Sequence, residues 1–238
     1  MNYVINDVLH FPSWGRGVYY VWRRNFIYFR YTIFVAASWM FLEPLLYILA
    51  LGYGLGRFVS EINGMPYAAF IAPAMMATTG MFVSFFDAAY GTYTRLARDN
   101  TYKSVLLTPI SSDELALGEI VWCATKGFMS VIAVSLVIMF MGLAQAENFL
   151  GVYLVLGLMC WLFASLGVLM ATMAKSYDWF LFAQTGFIMP MSLFCGTYFP
   201  LEELPELFKW IIYAFPLTHA MESVRMFFSG RLPFQFFY

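Results

Sequence analysis

Five long apolar runs, separated by short polar breaks, dominate this chain. They predict helices over Thr32–Leu55, Tyr67–Thr92, Leu115–Leu143, Phe149–Ala174 and Trp179–Tyr198. About 20 apolar residues suffice to cross a bilayer as a helix. Ahead of them, Trp14–Tyr31 has helical periodicity and two unlike faces. Arg16, Arg23 and Arg30 recur every seven residues with Arg24 beside them, while Val18, Val21, Trp22, Phe26 and Phe29 fall opposite. That pattern predicts an interface helix lying in the headgroup plane, arginines toward phosphates and rings toward acyl chains. Between the second and third runs lies the longest polar interruption in the body of the chain, Thr94 to Glu119. Its first part predicts a short helix with Arg95, Arg98, Asp99 and Lys103 on the wet side. Past Pro109, Ser111-Ser112-Asp113-Glu114 supplies a serine N-cap and first-turn acids for the next helix.

Beyond Tyr198 the pattern changes. Pro200, Pro205 and Pro216 punctuate the stretch 199–229, which predicts two helices too short to span. Glu202, Glu203 and Glu206 are expected in the first turn of the earlier one, where the helix dipole favours acids. Phe234 to Tyr238 reads as the opening of a sixth span, expected after Tyr238. No internal repeat divides the chain, so residues 1–238 are read as one all-α integral membrane domain.

Composition agrees with the pattern. The 238 residues are 62% hydrophobic, 21% aromatic and 11% charged, with mean hydropathy +0.71; soluble domains carry about 25% charged residues. The sparse basic residues border apolar runs, which argues against nucleic acid as a partner. Cys123, Cys160 and Cys195 sit inside apolar runs at no metal-site spacing and are expected to be buried thiols. Charge placement also orients the chain. The loops after the first and third runs hold only Arg57 among basic residues. Arg16, Arg23, Arg24, Arg30, Arg95, Arg98, Lys103 and Lys175 collect on the other side. The positive-inside bias therefore puts the N-terminus and the Thr94–Glu114 loop in the cytoplasm and the 199–229 helices outside.

Glu43 lies near the middle of the first run, before Pro44. An acid at that depth costs roughly 2.5–3.5 kcal/mol on insertion scales and needs protein or water beside it. Two readings stand: a pathway or dimer-seam residue, or a protonated carboxyl bonded to a neighbouring helix. Lys126 and Gln184 are its candidate partners. Phe82, Phe85, Phe86 and Tyr90 are candidates for lining a cavity, with ordinary packing as the alternative. Asp87 and Asp178 read as wet helix ends, and His219, Glu222 and Arg225 as a surface ion-pair spacing.

Several stretches resemble the permease subunits of type-2 ABC exporters. They are Leu42-Glu43-Pro44-Leu45-Leu46-Tyr47, Leu51-Gly52-Tyr53-Gly54-Leu55-Gly56, Leu117-Gly118-Glu119 and Ala124-Thr125-Lys126. Further matches are Ala164-Ser165-Leu166-Gly167, Ser176-Tyr177-Asp178-Trp179-Phe180, Gln184-Thr185, and Phe199-Pro200 through Leu204-Pro205 to Phe215-Pro216-Leu217. The resemblance is greatest to the nodulation protein J group, which exports lipo-oligosaccharides. It implies an inner-membrane half-transporter that pairs with a second copy of itself and sits on two ABC ATPase subunits. It also implies six spans, a coupling helix within 94–109 and outer re-entrant helices. Arg95, Arg98, Asp99 and Lys103 would then meet the ATPase. Glu43, Phe82, Phe86, Lys126 and Gln184 would lie on the pathway or dimer seam.

No glycine-lysine phosphate loop occurs in the sequence, so ATP and its Mg are expected on the partner ATPase and no cofactor on this chain. Competing readings are a secondary transporter or channel, and an intramembrane enzyme. Few intramembrane charges and no repeat weigh against the first. Only two histidines and no nucleophile–base constellation weigh against the second.

Overall fold

The computed structural model describes residues 15–59, 61–62, 65–143, 149–201 and 205–228. Among these residues every extended element is a helix; the pair Ile62 and Met65 makes an isolated bridge. Helix α1 is Arg16–Tyr31 and α2 is Ile33–Tyr47, continuing through a π-helical stretch Ile48–Gly54 and a tight turn Leu55–Arg57. Helix α3, Tyr67–Phe86, continues through π-helical stretches Asp87–Gly91 and Thr94–Arg98. A short α4, Thr101–Val105, leads to α5, Ser112–Phe140, and α6, Phe149–Met173. Helix α7, Asp178–Ala183, runs through a π-helical stretch Gln184–Ile188 into α8, Met189–Phe194. Helices α9, Glu206–Tyr213, and α10, Pro216–Phe228, complete the described chain.

Four helical rods among the described residues are long and apolar enough to cross a membrane: Ile33–Arg57, Tyr67–Arg98, Ser112–Phe140 and Phe149–Met173. The fifth apolar run is helical from Asp178 to Phe194 and is shorter than these. It was expected to continue to Tyr198, but the chain turns at Cys195 and Gly196, whose φ of +79° suits glycine. The second run is longer than expected. Its 32 helical residues extend about 48 Å at 1.5 Å per residue, against about 30 Å of hydrocarbon. The rod is therefore longer than the hydrocarbon layer alone requires, by about 18 Å.

Helix α3 is the hub. Ile71, Ala72, Ala74, Met76, Ala77 and Met81 are fully buried, in one core with Val131 and Val134 of α5 and Leu156, Cys160 and Phe163 of α6. Close backbone approach makes this possible. A Cβ on Gly127 would stand 3.0 Å from the Gly80 carbonyl, and one on Gly167 would stand 2.7 Å from the Phe85 carbonyl. All three cysteines are buried and free. Helix α10 docks Leu217, Met221 and Val224 into this core, and its Phe227 ring packs against Gly151 of α6.

The first of the two short helices begins at Glu206, seven residues past the expected Phe199, with Pro205 before it. Glu206 pairs with Lys209 at 2.9 Å. Pro200 is buried, and Glu202 and Glu203 lie outside the described residues. Arg225 does not read as a solvated surface charge: it donates to the Gly196 carbonyl and lies over the Phe70 ring.

Candidate functional site

The charged end is built on α5. Ser111 accepts from the Glu114 backbone N–H while the Glu114 carboxylate accepts from the Ser111 N–H, a reciprocal cap that fixes where α5 begins. The same carboxylate accepts from the Gly17 N–H in the first turn of α1 at 3.2 Å. Contacts between α1 and α5 then advance together along both helices. Gly118 leaves room for Val21, since a Cβ there would stand 2.6 Å from the valine Cβ. Trp22, Phe26 and Phe29 surround Trp122 with edge-to-face rings. The apolar face assigned by sequence to acyl chains thus packs on a helix, because Gly118 gives it a bare surface. Arg16, Arg23 and Arg30 remain exposed as expected, whereas Arg24 turns inward.

Arg24 turns toward Glu119. Its Nη2 lies 2.7 Å from one carboxylate oxygen. Arg95 Nη2, from the end of the α3 rod, lies 2.8 Å from the other, and Asn25 Nδ2 donates to that oxygen at 3.0 Å. The Glu119 side chain is 1% exposed. Tyr102 of α4 is buried beside Val21 and Leu115. Burial, then the nearby Glu119 charge, pushes its phenol above the ordinary value, so it stays neutral and accepts from Arg95 Nε at 3.5 Å. Arg95 was expected on the wet side with Arg98, Asp99 and Lys103. Those three are exposed, but Arg95 is held inside, because the π-helical turns shift the register of the rod after Asp87.

Farther along α5, a cavity of about 1040 Å³ separates α2, α3 and the α7–α8 helix. Glu43, Asp87, Lys126 and Gln184 supply its polar wall. Phe82, Phe86 and Tyr90 form an aromatic ladder up one side, with successive centroids 5.6 and 6.0 Å apart. Phe85 faces the core instead, 2% exposed. Lys126 does not serve Glu43: its Nζ lies 2.6 Å from Asp87 Oδ1, and Cys123 Sγ stands 3.7 Å from Asp87 Oδ2. Asp87 is therefore a paired residue of the cavity wall, not a wet helix end. Asp178 does stand in the first turn of α7.

The family model for ABC-2 type transporters matches residues 16–228, nearly the whole described chain. The chain belongs to the ABC-2 type transporter family. This ABC-2 chain is 34% identical to nodulation protein J of Sinorhizobium fredii over 205 residues, 86% of its own length and 78% of the relative's. It is 32% identical to nodulation protein J of Rhizobium meliloti over 214 residues, covering 90% of this chain and 82% of that one. It is 22% identical to the Escherichia coli inner membrane transport permease YadH over 192 residues, 78% and 72% of the two lengths. No solved structure matches. This ABC-2 chain is accordingly a multi-pass membrane protein and a non-catalytic transporter subunit.

Glu43, Phe82, Phe86, Lys126 and Gln184 line one cavity of this ABC-2 chain. Sequence reasoning gave no role to Glu119, Asn25 or Tyr102. A lone acid about one turn into the third apolar run was a usable signal, because an acid among apolar residues needs a partner.

Proposed function

We propose that this chain is the passive, membrane-embedded half of an ATP-driven exporter of the inner membrane, moving an amphiphilic lipid-linked or oligosaccharide-type substrate outward. The observation that carries this reading is the cavity. It joins an aromatic ladder, suited to acyl chains and sugar faces, to a polar wall of Asp87, Lys126, Glu43 and Gln184. The N-terminus and the charged end face the cytoplasm, where basic residues collect. Two ATPase subunits holding ATP and Mg dock beneath a pair of these chains. They meet the exposed Arg98, Asp99 and Lys103 and the segment around α4, and closure of the ATPases on ATP pushes that segment. The relative YadH, an inner membrane transport permease, supports transport at an inner membrane.

Reconstitution of the chain with its ATPase in vesicles tests the reading. Appearance of a fluorescent lipid-linked oligosaccharide in the opposite leaflet or lumen should require ATP hydrolysis. Equal transport without nucleotide or ATPase would overturn it. One observation favours a second reading, a secondary transporter: the paired Asp87 and Lys126 inside the cavity. That reading expects transport to follow an ion or proton gradient in the same vesicles.

A further inference from the structure

We infer that Glu119 is a positioning residue for transport, whose carboxylate makes α1, the end of the α3 rod and α5 move as one body when the α4 segment is displaced. The inference rests on the reading above, in which an ATPase pushes that segment.

Between the α3 rod and α4 no continuous helix carries the push. Asn100 sits at φ +51°, in the left-handed region, and breaks the helical axis between Arg98 and Thr101. A displacement of α4 reaches the spans through side chains. Tyr102 is the buried side chain of α4, and it touches Val21 of α1, Leu115 of α5 and the guanidinium of Arg95. Arg95 in turn bonds Glu119, which also holds Arg24 and Asn25. Helix α1 is fastened to α5 at further points: the Gly17 N–H on Glu114, Val21 against Gly118, and the Trp22 indole N–H on Thr125. Thus α1 and the first half of α5 form one lever, and Arg95 with Tyr102 is its link to α4. The far arm of the lever carries Lys126, about two turns beyond Glu119, into the cavity wall against Asp87.

A carboxylate is the group this junction needs. It offers about four acceptor positions in a plane, enough for one N–H from each guanidinium and one from the amide at once. A glutamine of the same size offers one acceptor oxygen and turns an NH₂ toward donors. Glu119→Gln therefore keeps the volume and loosens the link. Arg95→Met cuts the link while leaving Glu119 paired with Arg24 and Asn25, so the fold survives even where the first variant fails to assemble.

The test uses the full complex with its ATPase in lipid nanodiscs, with Thr79→Cys as a reporter in the cavity wall. Three quantities are read: recovery of the ATPase with the chain, ATP hydrolysis, and the change in thiol labelling of the reporter on adding ATP. In both variants, ATPase recovery and hydrolysis should stay near the parent level, while the labelling change per ATP hydrolysed falls by about tenfold. A purely structural role would lower assembly and hydrolysis together. A folded, ATPase-bound variant with the parent's labelling response overturns the inference. A parent complex that recruits no ATPase, or shows no ATP-dependent labelling, overturns the transport reading itself and the inference with it.

Discussion

Beyond its first turn helix α5 carries Glu119 and Lys126 about two turns apart, and each is paired with the α3 rod, yet the two pairs are built differently. Glu119 is sealed at 1% exposure and receives Arg95, Arg24 and Asn25. Arg24 and Arg95 are themselves 32% and 21% exposed, so the difference lies in the carboxylates: Asp87, paired with Lys126, is 19% exposed at the wall of a large cavity. A sealed, fully bonded carboxylate fixes the elements around it to one another. A pair left open to a cavity remains available to whatever enters. The same chemistry thus serves to join helices at one level of the molecule and to line a cavity at the next.

The largest effect should come from breaking the sealed cluster. Glu119→Ala leaves two guanidinium groups and an amide without their acceptor, and a buried pair that loses one partner costs about 3–5 kcal/mol. Thermal unfolding of the purified protein in detergent should show this as a large drop in midpoint. Asp87→Asn should cost less, about 1.5–3 kcal/mol for a charged hydrogen bond, because water in the cavity can solvate Lys126. If Asp87→Asn proves as costly as Glu119→Ala, the distinction between sealed and open pairs fails. The smallest effect is expected at the start of α5. Ser111→Ala removes one half of the reciprocal cap and should cost about 1 kcal/mol in the same assay, leaving the cavity unchanged.

The comparison also explains what could be read in advance. The apolar runs and the Ser111–Glu114 cap were legible because each depends on neighbours in sequence. The arginine face of α1 was legible for the same reason, but the partner of its apolar face was not, since that partner is Gly118 of a distant helix. Arg95 and Arg98 look alike in sequence. What separates them is the π-helical register after Asp87, which a regular 3.6-residue period does not anticipate. Glu119 draws its partners from 95 and 24 positions away, and Lys126 takes Asp87, 39 positions away, over Glu43. Helical periodicity finds which residues lie on a face. It does not find which face meets which.

The central claim is that force enters this chain at its charged end, from an ATPase. Single-cysteine cross-linking in native membranes tests it most directly. A bifunctional thiol reagent should join Lys103→Cys and Leu107→Cys, at the exposed α4 segment, to the ATPase subunit. The equally exposed Phe58→Cys, at the far end of α2, should give no such product. Cross-links at Phe58, or none at either α4-segment position, would contradict the account.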